Sequence, residues 1–205
     1  MKIKILAIAL FIFFLLFAFG SISLCAQEKL IFKKNRYKVG FITGYGTQGA
    51  NLESRVEDYD YEVHLYQLQC YYTLVKKKRG SIELLLQPQF NLTKLRPVDW
   101  LDVEMQGYEF GLNGGLLYRK YVFKGFISLY ACLSTGPHFT SRTPLRQARG
   151  FLFSDNLFMG TSIKVYKKLY LDVRYGIRHI SNAGLKAPNN GLNDIVFSEG
   201  LYFAF

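Results

Sequence analysis

Two things are scarce in this 205-residue sequence: cysteine and long hydrophobic segments. There are three cysteines, and one of them, Cys25, lies in the N-terminal apolar region. The other two, Cys70 and Cys132, permit one disulfide in an oxidising compartment but do not require it. Beyond residue 19, no segment approaches the roughly 18 consecutive apolar residues that a membrane-spanning helix needs. The sequence therefore does not predict a helical membrane protein.

The N-terminus carries the features of an export signal. Lys2 and Lys4 precede an unbroken apolar run over residues 5–19, and small residues follow it. The run is too short to span a bilayer comfortably, so the pattern indicates a secretory signal peptide rather than an anchor. We expect a signal peptide over residues 1–26 and a single outer-membrane β-barrel domain over residues 27–205.

Acidic residues are also few, with 15 Asp and Glu against 26 Lys and Arg and a net charge of +11. In an exported protein this excess does not indicate nucleic acid, and an anionic lipid surface explains it better. There is one Trp, but 15 Tyr and 18 Phe bring the aromatic share to 17%. An exported chain that is rich in aromatics and lacks spanning helices favours a transmembrane β-barrel.

Apolar residues alternate with polar or small ones in eight successive segments, which is the pattern of strands with one apolar face. Short and long connections alternate between these segments, as an up-and-down barrel requires. The second segment alternates less clearly around Gln67, Gln69 and Cys70, which a β-bulge would explain. The predicted fold class is all-β, an eight-stranded antiparallel up-and-down transmembrane β-barrel after a cleaved signal peptide. Its strands lie near residues 37–46, 59–74, 81–92, 104–118, 123–135, 151–165, 169–181 and 194–205.

A soluble lipocalin-like barrel is the alternative, and its apolar faces would point inward. Long apolar faces, charges on the opposite faces and an aromatic last strand ending at Phe205 favour the membrane form. In an eight-stranded membrane barrel, the inward side chains fill the lumen and leave no open channel.

Charge decides which face of the seventh strand is inside. Asp172, Arg174 and Arg178 share one face, and the odd-numbered residues through His179 and Ser181 share the other. Three charges are tolerated in a polar lumen, where Asp172 can pair with either arginine, but they are costly against acyl chains. His179 and Ser181 therefore face lipid. Since this strand runs outward, the base and the hydroxyl lie in the outer leaflet, where they meet lipid ester linkages.

The segment after the histidine gives a specific resemblance. Residues 179–193 read HISNAGLKAPNNGLN, which closely resembles the active-site segment of the outer-membrane lipid A 3-O-deacylase (PagL-type) family, labelled acyloxyacyl hydrolase in some relatives. The combination H-x-S-N-A-G-L followed by P-N-x-G carries the match, and elsewhere the similarity is one of architecture. The family fold is an eight-stranded barrel in the outer membrane of Gram-negative bacteria. The resemblance implies a hydrolase that modifies lipopolysaccharide by acting on lipid A in the outer leaflet, with no cofactor, metal or nucleic acid.

The same resemblance assigns roles to individual residues. Ser181 corresponds to the nucleophile and His179 to the general base of a Ser-His mechanism that removes an ester-linked acyl chain. The side chain of Asn182 and the backbone amide of Gly184 correspond to the donors of the oxyanion hole.

The sequence departs from the family pattern at one catalytic position. The third member of the family's catalytic group is a glutamate twelve residues after the serine, and here that position is Asn193. Its carbonyl oxygen can face the histidine but stabilises an imidazolium less well than a carboxylate. Loss of the orienting carboxylate cost about 10⁴ in turnover in a serine protease. We expect slow activity unless Asp194, which has the opposite parity, serves instead.

Four basic residues lie in predicted outer loops and can meet the phosphates of lipid A, with a solvated basic loop as the alternative. They are Arg142, Arg146, Arg149 and Lys186.

Three further polar residues need a place in this fold. Glu199 falls on the lipid face by parity, unless a bulge turns it towards a lumenal arginine. His64 and His138 have no neighbours at metal-ligand spacing, so no metal site is predicted.

Three functions are compatible with this sequence. The first is a lipid A ester hydrolase. The second is a catalytically silent structural barrel, which the missing glutamate favours. The third is a lipid A acyltransferase in a similar barrel.

Overall fold

The computed structural model describes residues 36–48, 59–97 and 103–205. Eight antiparallel strands close into a ring in which each strand pairs with its sequence neighbours and the first pairs with the last. In the described part of the chain, no helix is long and apolar enough to cross a membrane. The predicted signal peptide and the first outer loop fall outside the described residues. The strands are β1 (Tyr37–Gln48), β2 (Tyr59–Lys77), β3 (Gly80–Pro97), β4 (Met105–Val122), β5 (Ile127–Thr140), β6 (Gly150–Tyr166), β7 (Leu169–Ser181) and β8 (Leu192–Ala204).

The eight predicted strands are confirmed, and β7 has the predicted bounds. Others extend further at the outer end: β3 continues to Pro97 and β5 to Thr140. The loop predicted over residues 136–150 is therefore shortened to residues 141–149. Backbone hydrogen bonds continue beyond the apolar band, so the apolar pattern ends before the strand does.

Burial alternates along the strands as predicted for a membrane barrel, whose apolar side chains face outward. On β5, Ser128, Tyr130, Cys132 and Ser134 are buried, whereas the intervening Leu129 and Leu133 are exposed. Exposed apolar side chains thus form the outer wall, and the buried face fills the lumen.

The two cysteines lie on opposite sides of that wall. Cys132 is buried in the lumen, while Cys70 has the parity of the exposed Leu68 on β2, and both thiols are free. Because the sheet separates them, they do not form the disulfide that the sequence permitted.

Ionic and polar groups hold the middle of the lumen together. Arg178 joins Glu109 to Asp194, whose Oδ2 lies 3.0 Å from the Arg178 Nη1. A second group joins Arg119 to Glu83 and to the hydroxyl of Ser162. These side chains reach across the barrel from different strands.

The predicted pairing of Asp172 with Arg174 or Arg178 is wrong. Asp172 instead accepts hydrogen bonds of 2.5 Å from the hydroxyls of Tyr130 and Ser162. Arg174 donates to Gln67 and lies over the Phe158 ring, 4.6 Å from its centroid. Side chains two residues apart on a strand project in parallel about 7 Å apart, so partners on other strands are closer.

An apolar cluster occupies part of the same lumen and explains the irregular pattern of β2. Tyr61, Val63 and Leu65 are inward residues of β2 that pack with Leu95 and Ile180 from other strands. The inward face of β2 therefore changes from apolar up to Leu65 to polar at Gln67 and Gln69, which makes the alternation irregular. The bulge suggested near Gln67–Cys70 is wrong, because the register shift lies between Thr73 and Val75.

Glu199 is exposed on the outer wall, as its parity indicated. It pairs in continuous register with Thr43 on one side and Val173 on the other. No bulge turns this carboxylate towards the lumen.

Candidate active site

The residues of the candidate site lie on the outer wall where β7 ends. His179 and Ser181 are partly exposed, and the intervening Ile180 is buried in the lumen with Arg178. The pleat of the strand causes this alternation. The histidine and the serine therefore share the lipid-facing side of the barrel, at the end of the strands opposite the short turns.

Asn193 on β8 is directly opposite His179 on β7, and its Oδ1 lies 2.7 Å from the Nδ1 of the histidine. A carbonyl oxygen only accepts hydrogen bonds, so this contact requires the proton of the neutral imidazole to be on Nδ1. The other ring nitrogen, Nε2, then carries the free lone pair. This is the tautomer that a base needs to take a proton from a hydroxyl group.

Asp194 does not replace the missing glutamate in this arrangement. Its side chain is fully buried in the lumen, where Oδ2 accepts a hydrogen bond from Arg178. Because neighbouring residues on a strand point to opposite faces, the wall of the barrel separates Asp194 from the imidazole of His179. Of the two candidates, only Asn193 contacts the histidine.

The two candidate oxyanion donors are hydrogen-bonded within the β7–β8 loop. The backbone N–H of Gly184 donates to Oδ1 of Asn182 at 3.0 Å. The Nδ2 of Asn182 donates to the carbonyl oxygen of Lys186 at 2.6 Å, and its backbone N–H donates to Oδ1 of Asn189. Asn182 is buried and fixes the turn that follows Ser181. Its amide group has two N–H donors, and one of them is used in the bond to Lys186.

A hydrogen bond between the β5–β6 and β7–β8 loops holds Gly191 next to the histidine ring. Oε1 of Gln147 accepts a hydrogen bond of 2.9 Å from the backbone N–H of Gly191. Gly191 has φ +74°, and a Cβ added there would lie 2.6 Å from Cε1 of His179. Only glycine adopts this conformation readily and leaves space for the ring. The sequence gave no sign that Gln147 contacts this loop.

A carboxylate with no role predicted from the sequence lies on the other side of His179. Asp155 on β6 is directly opposite His179, so the histidine is flanked by Asp155 and Asn193 on its two neighbouring strands. Cβ atoms of directly opposite residues are about 5 Å apart. The Oγ1 of Thr135 donates a hydrogen bond of 2.5 Å to Oδ1 of Asp155. In the sequence, the signal for this residue was a single Asp between apolar outward residues of β6.

Ser181 has apolar surroundings. It is opposite Phe153 on β6, whose ring makes an edge contact with Phe151 at 5.1 Å between centroids. No hydrogen bond joins Ser181 to His179, both of which are among the described residues. Without substrate, bonds between catalytic groups are often longer than in the reacting complex.

Three of the four candidate phosphate-binding residues are exposed in the outer loops: Arg142, Arg149 and Lys186. Arg146 is partly buried, and its guanidinium lies 5.8 Å from the centroid of the Tyr59 ring. The two loops that carry these residues are joined by a backbone hydrogen bond of 2.8 Å from Ala148 to Pro188. The structure thus brings the basic loops together beside the candidate site.

The described residues include no cluster of His, Cys, Asp and Glu that could hold a metal ion. His138, which the sequence left unassigned, is buried in the lumen and hydrogen-bonded to Gln89 and Asn113.

Comparisons with known proteins agree with this arrangement. A family model described as lipid A 3-O-deacylase (PagL) matches residues 64–201. The match includes Asp155, His179, Ser181 and Asn193. No curated protein matches the sequence.

Two solved structures share the barrel fold. One is the outer membrane enzyme PagL, with a TM-score of 0.59 and 15% identity over 78% of this chain and 97% of that one. The other is Neisserial surface protein A (NspA), with a TM-score of 0.52 and 12% identity over 82% of this chain and 97% of that one. The family match and the shared fold place the chain in the outer membrane of a Gram-negative bacterium.

Proposed function

The chain belongs to the lipid A 3-O-deacylase (PagL) family, and we propose that it removes an ester-linked acyl chain from lipid A by a Ser-His mechanism. The contact between Asn193 and Nδ1 of His179 is the observation that carries the proposal. It leaves Nε2 as a base on the lipid-facing side of the barrel, two residues from the hydroxyl of Ser181.

The reaction has two stages. In the first, Oγ of Ser181 attacks the ester carbonyl carbon while Nε2 of His179 takes the hydroxyl proton. The tetrahedral intermediate then collapses, the sugar oxygen leaves with the proton from His179, and the fatty acyl group stays on Ser181. In the second stage, His179 takes a proton from water and the resulting hydroxide attacks the acyl carbonyl carbon. The bond to Oγ of Ser181 then breaks, His179 returns the proton to that oxygen, and the fatty acid is released.

Asn182 and the loop that it fixes supply the oxyanion hole. The Asn182 amide has a second N–H besides the one bonded to the Lys186 carbonyl oxygen, and we assign this N–H to the negative oxygen of the intermediate. The Gly184 amide donates to Asn182 in this structure, so it becomes an oxyanion donor only if that bond is exchanged. One such donor typically contributes about 10²–10³ to turnover.

Asp155 compensates in part for the glutamate that this chain lacks. Asn193 orients His179 but has no net charge to stabilise the imidazolium that forms when the serine proton is taken. Asp155 is directly opposite the same histidine and supplies a negative charge from the neighbouring strand. At the hydrocarbon boundary, charges interact more strongly than in bulk water.

The outer loops hold the other end of the substrate. The exposed cations Arg142, Arg149 and Lys186 are suited to the phosphates of lipid A, and Arg146 joins them at the same edge. The apolar surface around Phe153 receives the acyl chain beside Ser181.

Mass spectrometry of lipid A from cells with and without the gene tests the proposal. Loss of one hydroxyacyl chain in cells that carry the gene is the expected result. Gain of an acyl chain would instead identify an acyltransferase. Unchanged lipid A would identify the silent structural barrel that the absence of the family glutamate favours.

A further inference from the structure

The short-turn end of the barrel carries an unusual concentration of positive charge. In the turn between β2 and β3, residues 76–79 read KKKR, and all four are exposed. Exposed lysines are also found around the next short turn, at Lys120 and Lys124, and around the last one, at Lys164, Lys167 and Lys168. We call these nine residues the basic collar.

The collar has no acidic side chain to balance it. The three turns contain no Asp or Glu. The nearest acidic residues among the described ones, Glu83 and Asp172, are fully buried in the lumen and hydrogen-bonded there. No ion pair in the described part of the chain includes a collar residue. Like charges at this density repel one another unless anions gather around them.

The opposite end of the barrel is organised differently. There Arg96 binds Asp60 at 2.8 Å, Glu62 at 3.1 Å and Glu104 at 2.9 Å. Lys94 also contacts Glu104, and the hydrogen bond from Arg96 lowers the pKa of that carboxyl group below its usual value. Arg96 and Lys94 at the outer end therefore have carboxylate partners within the described part of the protein, whereas no collar residue has one.

The position of the collar identifies what balances its charge. Short turns face the periplasm in outer-membrane barrels. Exposed aromatic residues surround the collar, among them Tyr118, Phe123, Phe126 and Tyr166, and the Nζ of Lys167 lies 5.0 Å from the centroid of the Tyr166 ring. Such aromatic girdles mark the membrane interface, where lipid phosphates lie. Lysine stems can follow the apolar wall and bring their ammonium groups to that level.

We propose that the basic collar is a binding surface for anionic phospholipids of the periplasmic leaflet, such as phosphatidylglycerol. The collar follows the perimeter of the barrel at the height of the headgroups, where a soluble polyanion would reach only part of it. This interaction is separate from the candidate active site, which lies at the other end of the strands.

Native mass spectrometry of lipids retained by the purified protein tests this surface. The protein is reconstituted in phosphatidylcholine bilayers that contain a minor share of phosphatidylglycerol and is then released with its bound lipids. One Lys or Arg near an anionic surface contributes about fivefold in binding. We therefore expect phosphatidylglycerol to exceed its share of the bilayer by at least about fivefold on the wild-type protein.

Three variants distinguish lipid binding by the collar from an effect of the net charge of the protein. Replacing Lys164, Lys167 and Lys168 by Gln should reduce the enrichment, and replacing them by Arg should preserve it. Replacing the outer-end residues Lys94 and Arg96 by Gln removes positive charge outside both the collar and the candidate phosphate-binding loops, and should leave it unchanged.

No enrichment on the wild-type protein, or equal enrichment on the collar Gln variant, would overturn the proposal. A loss of enrichment in the outer-end variant would also overturn it, because the effect would then follow net charge. Inorganic phosphate at the concentration of the lipid should leave phosphatidylglycerol bound, and displacement by it would show a site for free phosphate instead.

Discussion

Oδ1 of Asn193 lies 2.7 Å from Nδ1 of His179 across the β7–β8 pair. The amide therefore fixes the tautomer of the histidine without supplying the charge that a carboxylate would add. Replacing Asn193 by Glu should restore that charge and increase kcat by about tenfold or more, since loss of a comparable carboxylate has cost about 10⁴. Turnover of a purified lipid A substrate by each protein measures this effect.

The matched control is Asn193→Leu, which removes the hydrogen bond and leaves a side chain of similar size. It should lower kcat below that of the wild type. If both substitutions left kcat unchanged, Asn193 would have no part in orienting His179.

Because Asp155 on β6 and Asn193 on β8 are both opposite His179, we expect the effect of one on kcat to depend on the other. Asp155→Asn should lower kcat with little change in KM, because it removes a charge that stabilises the imidazolium rather than a substrate contact. The loss should be smaller in an Asn193→Glu background, where a second carboxylate is already present. A double-mutant cycle of these two positions measures the coupling.

Thr135→Val provides the control for Asp155, since it removes the hydrogen bond to Asp155 and keeps the charge. It should have a smaller effect than Asp155→Asn. Equal losses from Asp155→Asn in both backgrounds would show that Asp155 acts independently of the charge at position 193.

The substitution Gly191→Ala tests whether the absence of a side chain at this position is needed to place the His179 ring. Gly191→Ala places a methyl group 2.6 Å from Cε1 of His179 and strains a backbone with φ +74°. We expect kcat to fall by about 10²-fold, since displacing a catalytic group by about 1 Å has this order of effect. The control is Gly114→Ala, because a Cβ at Gly114 meets no atom within 4 Å. A Gly191→Ala enzyme with wild-type kcat would contradict the placement of the ring.

We expect a carboxylate buried in the lumen to contribute more to the stability of the barrel than an exposed one. Glu109 accepts hydrogen bonds from Arg178, Tyr61 and Asn91 inside the barrel. Glu109→Gln should lower the free energy of unfolding by about 3–5 kcal/mol, because it leaves the buried Arg178 without one of its two carboxylates. Urea unfolding in lipid vesicles measures this value. Glu104→Gln breaks the exposed ion pairs with Arg96 and Lys94 and should change stability little. Equal losses would contradict the role of burial.

The sequence predicted most clearly the features that depend on one strand alone. β7 carries charges on one face and apolar residues on the other, so its bounds and the outward direction of His179 and Ser181 follow from its alternation. The same parity places Asp194 in the lumen. The predicted pairing of Asp172 with Arg174 or Arg178 was wrong, because the partners of Asp172 lie on other strands, and the sequence of β7 does not show which side chains these strands bring near it.

Contacts between strands and between loops could not be read from the sequence. Asp155 is opposite His179 because of the register of β6 and β7, which the alternation pattern of either strand does not specify. Gln147 binds Gly191 across 44 positions of sequence. Both features depend on how separate segments meet in the closed barrel.

Mass spectrometry of purified lipid A incubated with the wild-type protein, with Ser181→Ala and with His179→Ala tests the central claim most directly. The wild-type protein should release one fatty acid from each lipid A. Each variant should lose activity by at least about 10⁴-fold, while both retain the heat-sensitive electrophoretic mobility of a folded barrel. Release of fatty acid at the wild-type rate by either folded variant would contradict the Ser-His mechanism.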